Sequence, residues 1–222
     1  MLTNNELEEL EKKYFDILTQ LLERSIGQII NQIYSQNSIT GAAMGGVINV
    51  IESAVENVIE SLIANQLHWN ICSMPVSSDS CFECGDAIIH IDAKTIKDDN
   101  TDATSNTVNV EASQTTYAKG TPYTIARKTW DPKLNLYETH RMFGDVPNLT
   151  YIVEVIYSAT NLVESIELIS LPHGQLNIVF GGGNILRAGK NARSNPRTNI
   201  RFKKANISAV QPWRIKTIYK RQ

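Results

Sequence analysis

The sequence predicts an α/β domain, a central mixed β-sheet flanked by helices. Two long stretches of helical periodicity occupy the first third of the chain. Short apolar runs of strand length follow, separated by polar loops. The chain has 222 residues, 42% of them hydrophobic and 20% charged, enough to bury a core without disulfide or metal staples. One domain over 1–222 is the expectation, with a helical segment at 1–40, a core at 44–180 and a basic segment at 181–222.

Residues 5–35 form the first expected helix. Leu7, Leu10, Tyr14, Leu18, Leu21 and Leu22 make its apolar stripe, which suits the core or a second subunit. Asn4 or Asn5 is the expected cap, and Gln36-Asn37-Ser38 with Gly41 the expected break. The second helix spans about 46–68, with Val47, Ile51, Ala54, Val58 and Leu62 on one face. Glu52, Glu56 and Glu60 form a row beside that face. Glu60 reads as solvated surface, whereas Glu52 is either surface or aimed at the strands that follow.

Those strands are expected at 76–82 and 87–95, in a hairpin folded about 84–85 that sets Asp79 opposite position 90. Residues 97–107 read as a polar loop, whose acids lack the glycine and terminal glutamate of a calcium loop. A short strand at 108–111 leads into a mixed region, 113–145, with a turn at Trp130-Asp131-Pro132 and a helix or loop near 134–143. Further strands are expected at 149–157, 165–171 and 176–180.

Charge is unevenly distributed. All 23 acidic residues lie at or before Glu167, and eleven of the 21 Lys and Arg lie after it. Such a split points to a polyanionic partner, nucleic acid before a membrane surface. Arg187, Lys190, Arg193, Arg197, Arg201, Lys203 and Lys204 are the candidate phosphate contacts. Gly181-Gly182-Gly183-Asn184 lacks the spacing of known phosphate loops and reads as a turn or a close backbone approach. Asn106, Asn109, Gln114, Thr115, Thr116 and Tyr117 lie in a stretch without Lys or Arg. Asn and Gln read adenine and Thr touches the thymine methyl, so an A·T-rich target is a lean, set against a plain surface loop. There is no apolar run of eighteen residues and no signal peptide, so a cytoplasmic protein without a membrane partner is expected.

Asp92-Ala93-Lys94 closes the apolar run Ala87-Ile88-Ile89-His90-Ile91. Strand side chains alternate, so Asp92 and Lys94 share a face. A carboxylate holds a hard cation, and an adjacent ammonium acts on a water or phosphate beside it. On the expected hairpin Asp79 is a diagonal neighbour of Asp92. Asp86 sits at the turn, too far along to converge.

With Asp79, a hairpin, Ile91-Asp92-Ala93-Lys94 and a preceding glutamate-bearing helix, residues 44–160 resemble the PD-(D/E)XK nuclease core. Asp92-Ala93-Lys94-Thr95 and Ser113-Gln114-Thr115-Thr116-Tyr117 are most similar to type II restriction endonucleases of the EcoRV and HincII kind. Ser78 stands where that motif has proline. The resemblance implies a restriction-endonuclease-like fold, Mg²⁺ held by Asp79, Asp92 and the Ala93 carbonyl, and catalytic Lys94, with Glu52 as a further acid. It also implies a homodimer that cuts a palindromic double-stranded DNA site. The alternative is a non-catalytic DNA-binding module using the basic segment.

Cys72, Cys81 and Cys84 are expected to be reduced thiols near the hairpin. Cys81-x-x-Cys84, with His90 or His68, is half of a zinc site, which leaves a zinc-stabilised interaction protein as a third reading.

Overall fold

The computed structural model describes residues 1–43, 50–72, 78–117, 123–125, 128–130, 134–181, 184–188 and 199–222. Side chains are described within these except at 36–43, 50–53, 112, 123–125, 128–130, 187–188 and 199. Helices α1 (Asn4–Ala43) and α2 (Val50–Leu67) come first. Then follow β1 (Asn70–Ile71), β2 (Ser80–Cys84), β3 (Ala87–Lys97), α3 (Thr101–Thr104) and β4 (Thr107–Glu111). After β5 (Tyr123–Ile125) and β6 (Lys128–Trp130) come β7 (Tyr137–His140), β8 (Gly144–Tyr157) and β9 (Val163–Leu171). The chain ends with β10 (Leu186–Ala188), β11 (Asn199–Lys203), α4 (Lys204–Val210) and β12 (Ile215–Lys220).

The main sheet has strand order β1-β2-β3-β8-β9-β12, with β7 paired to the start of β8. β3 and β8 are parallel over Ile88–Lys97 and Asn148–Tyr157, while the other pairs are antiparallel. The sheet is therefore mixed, as expected. One face carries Phe82, Ile89, Ile91, Tyr151 and Val153. α1 lies there, because the Tyr151 hydroxyl donates to the Glu11 carbonyl at 2.7 Å. The other face carries Asp92, Lys94 and Glu154, and beneath it lies a second sheet of order β10-β11-β4. Val108, Val110 and Phe202 of that second sheet are buried in the same core.

α1 buries Leu7, Tyr14, Leu18, Leu21 and Leu22 as its periodicity requires, and leaves Leu10 partly covered. Its cap is Thr3 rather than Asn4 or Asn5. The Glu6 amide donates to the Thr3 hydroxyl at 3.3 Å, and the Thr3 amide to the Glu6 carboxylate at 2.8 Å, a reciprocal box. The helix also runs through 36–41. Ser and Gly weaken a helix by about 1 kcal/mol or less each, and only a proline removes a bond outright.

Two other expectations change. Residues 134–143 contain strand β7, not a helix. Residues 176–180 are not a strand, for a 3-10 turn spans Gly174–Ile178, capped by His173 Nδ1 accepting from the Gln175 amide at 3.1 Å. A five-residue apolar run has no period by which to choose between the two. The C-terminal segment supplies β12 to the main sheet and β10 and β11 to the second. The expected features at 73–77, 131–133 and 182–183 lie outside the described residues.

Candidate active site

The hairpin turns at Gly85-Asp86, one residue later than expected, and pairs Cys84 with Ala87 and Ser80 with Ile91. This shifts the register by two, so that position 90 faces Cys81 and Asp79 lies beyond the pair Ser80–Ile91, beside Asp92. The result is closer convergence than the diagonal one expected. Asp79 Oδ2 accepts from the Ala93 amide at 2.6 Å. Ser78 is buried, its hydroxyl 3.0 Å from His90 Nδ1, so the residue in the proline position anchors the approach to Asp79. Asp86 is held by Lys13 at 2.7 Å and by the Tyr14 hydroxyl, away from this site.

Asp92 is fully buried in the middle of the sheet. Its Oδ1 accepts from Gln114 Nε2 at 2.8 Å. Its Oδ2 forms a 2.7 Å ion pair with Lys94 Nζ. Lys94 remains 24% exposed. Burial pushes the Asp92 carboxyl up to about 7, with Asp79 adding to the rise and Lys94 opposing it. Burial alone would lower Lys94, but Asp92, Asp79 and Glu111 outweigh it and hold the ammonium above its ordinary range. Glu111, absent from the expected site, thus acts on Lys94 through its field.

Several expected DNA contacts are interior instead. Gln114, Thr115, Thr116 and Tyr117 are all buried. Thr115 Oγ1 accepts from the Tyr117 amide at 3.1 Å, and Thr116 Oγ1 from the Gly174 amide at 3.1 Å. A Cβ at Gly174 would come within 2.3 Å of the Thr116 carbonyl, so this packing requires glycine. The Tyr117 hydroxyl donates to Asn177 Oδ1 at 3.1 Å, and its ring packs on Phe180 and Phe202. These four are interior in this structure, so of the residues that carried the lean to an A·T-rich target only Asn106 and Asn109 remain at the surface among the described residues. A polar run reads as surface only when nothing covers it, and here the turn after β4 drives it inward.

Lys204 is likewise buried, bound to Glu154 and, at 3.0 Å, to Glu167. Arg201 forks onto Asp102. Arg214 is fully buried against Glu11 at 2.5 Å, while Lys216 and Arg221 pair with Glu23 and Glu164. Five C-terminal cations therefore meet acids from earlier in the chain, and part of the charge split is complementarity within the fold. Asn106 is exposed at a left-handed turn with φ 53°, and Asn109 and Lys203 are half-exposed. The side chains of Glu52 in α2 and Arg187 in β10, and all of Lys190, Arg193 and Arg197, lie outside the described residues.

Cys81 and Cys84, three apart on β2, point to opposite faces. Cys81 sits with Ile88 and Val146, and Cys84 in the main core. Among the described residues no three His, Cys, Asp or Glu side chains converge as a metal cluster, and Cys72 packs beside Cys81, its amide donating to the Cys81 carbonyl at 2.9 Å. The zinc reading is not carried. No described helix is long and apolar enough to cross a membrane.

The fold is shared with known nucleases. The restriction endonuclease BglI, solved bound to its DNA recognition sequence, superposes with a TM-score of 0.73 at 14% identity, over 95% of this chain and 90% of that one. Tetrameric SfiI bound to cognate DNA gives 0.73 at 16% identity, over 97% and 85%. No curated protein sequence matches the chain. A family model described as the N-terminal domain of the type II restriction enzyme MwoI matches residues 3–161. With that match spanning most of its length, the chain belongs to this family of type II restriction enzymes, which are site-specific deoxyribonucleases, and is not a non-catalytic DNA-binding module.

Proposed function

We propose that the protein hydrolyses double-stranded DNA with Mg²⁺ at the Asp79–Asp92–Lys94 site. The observation that carries this is the meeting of two carboxylates and a half-open ammonium at the mouth of one hairpin. Asp79, Asp92 and the Ala93 carbonyl would hold the ion. These are hard oxygen donors of the type Mg²⁺ takes, and Asp79 and Asp92 bring two carboxylates together at the Ala93 peptide. When bound, the ion polarises the phosphodiester and lowers the pKa of water. Lys94, kept protonated by Asp92, orients the attacking water and balances the charge that develops on phosphorus. Attack is in line: the water oxygen bonds phosphorus as the P–O3′ bond breaks, the water's proton passes to solvent, and the departing 3′ oxygen takes one up from solvent. Glu52 is proposed as a further acid.

A palindromic target and a homodimer are proposed from the two-fold logic of such sites. The structures of BglI bound to its DNA recognition sequence and of SfiI bound to cognate DNA support DNA as the partner. The narrower likeness to the EcoRV and HincII kind now rests on Asp92-Ala93-Lys94-Thr95, because residues 114–117 are interior.

A plasmid digest with Mg²⁺ and with EDTA tests this reading. Discrete fragments are expected only with Mg²⁺. Asp92→Ala and Lys94→Ala should each lower cleavage by on the order of 10³-fold while gel-shift binding to DNA persists. Undiminished cutting by either variant rules the assignment out.

A further inference from the structure

Gln114 was singled out by its sequence as a DNA reader, yet it is 4% exposed and points into the active site. It ends the 3-10 turn Ala112–Gln114, which follows β4. Its Oε1 accepts from the Glu111 amide at 2.7 Å, and its Nε2 donates to Asp92 Oδ1 at 2.8 Å. The Glu111 carboxylate accepts in return from the Gln114 amide, a reciprocal capping box. The carboxamide therefore has one orientation. Its oxygen must face a backbone N–H, so its nitrogen must face the carboxylate.

The consequence falls on Asp92. A carboxylate turns readily about its last torsion, which is broad and two-fold. With Oδ1 occupied by a neutral donor, Oδ2 is the oxygen left toward Lys94. Without that bond the carboxylate could rotate and share both oxygens with the ammonium. We propose that Gln114 is a positioning residue: it holds one oxygen of Asp92 so that the other is presented to the divalent ion. The proposal rests on the reading of Asp92 as an ion ligand. Because β4 pairs with β11, the same bond ties the second sheet to the catalytic strand across the layer.

Outer partners of this kind typically change metal affinity or turnover ten- to a hundredfold. Gln114→Met keeps length and removes both polar atoms. Mn²⁺ binding to the free protein, followed by electron paramagnetic resonance, should weaken about tenfold. In plasmid cleavage kcat should fall about ten- to a hundredfold and the half-saturating Mg²⁺ concentration should rise, with KM for DNA unchanged. Should Gln114→Met fail to fold, Gln114→Asn, with the same amide one methylene shorter, is expected to give the same pattern. Mn²⁺ binding and kcat equal to wild type in a folded variant overturn the proposal, as does a loss confined to KM for DNA. Asp92→Ala separates the two claims. If it binds Mn²⁺ and cleaves like wild type, the active-site reading itself has failed, whatever Gln114 does.

Discussion

On one face of the main sheet Lys94 of β3 stands in register beside Glu154 of β8, so two carboxylate–ammonium pairs are immediate neighbours. In the first, Asp92 is fully buried and Lys94 is 24% exposed. In the second, Glu154 is fully buried, Lys204 is 4% exposed, and Glu167 adds a further carboxylate at 3.0 Å. In both pairs the ammonium sits on one buried carboxylate oxygen, Asp92 Oδ2 in the first and Glu154 Oε2 in the second. The ion pairing itself therefore does not separate them. What does is access, together with Asp79 converging on the first pair from the end of β2. The same residue types make a reactive site where the ammonium reaches solvent and a bolt between layers where it does not.

Removing each ammonium in turn is the most severe test of this contrast. Lys204→Met leaves two carboxylates facing each other beneath the second sheet, and breaking such a buried pair costs about 3–5 kcal/mol. Lys94→Met should cost about 1 kcal/mol or less. Lys94 already reaches solvent, and Asp92 keeps the Gln114 hydrogen bond when the ammonium is gone. Its cleavage should nevertheless fall on the order of 10³-fold. Urea unfolding and plasmid digestion of both variants read the two effects. Equal destabilisation by both would dissolve the distinction between site and bolt.

How far the sequence could disclose this contrast depends on locality. Asp92 and Lys94 were legible because two residues on one strand share a face whatever the rest of the chain does. Asp79 was found with the wrong register, since a turn misplaced by one residue moves the pairing by two. Lys204 was misread. Its partners Glu154 and Glu167 are 50 and 37 positions away, and nothing local distinguishes it from its neighbour Lys203. Gln114 was misread for the same reason, although Glu111-x-x-Gln114 has capping-box spacing and could have flagged the turn. The second sheet went unseen because β10 and β11 are short and β11 pairs with a strand some ninety positions upstream.

A gentler test replaces the whole bolt. Glu154→Leu combined with Lys204→Met substitutes apolar groups of similar volume, and Glu167, 21% exposed, can turn to water. Buried pairs replaced together are often neutral, so the double variant should lie within about 2 kcal/mol of wild type. It should also alter the response to alkali. Burial lowers Lys204, but Glu154 more than compensates and holds it above its ordinary value. A lysine raised in the folded state contributes stability that is complete below 10.5 and is lost as pH rises through the folded pKa. Wild type should therefore lose stability above pH 10.5 faster than the double variant. Parallel melting curves across that range would show otherwise if Lys204 were unimportant.

The smallest expected effect sets Lys203 against Lys204. Side chains alternate along β11, and the chain turns into α4 at Lys204, so these neighbours face different surroundings. Lys203 is half-exposed at the end of β11, and Lys204 is inside the molecule. A lysine that touches one phosphate adds roughly 0.9 to the slope of log affinity against log salt. Lys203→Ala should reduce that slope by about 0.9 and weaken DNA binding a few-fold at moderate salt, with stability unchanged. The double variant Glu154→Leu/Lys204→Met should leave the slope where it was, because a buried ammonium releases no counterion. Fluorescence anisotropy over a series of salt concentrations measures both. A lower slope for the Lys204 variant would mean that this lysine leaves its carboxylates to meet DNA, and the bolt would have to be redrawn as part of the interface.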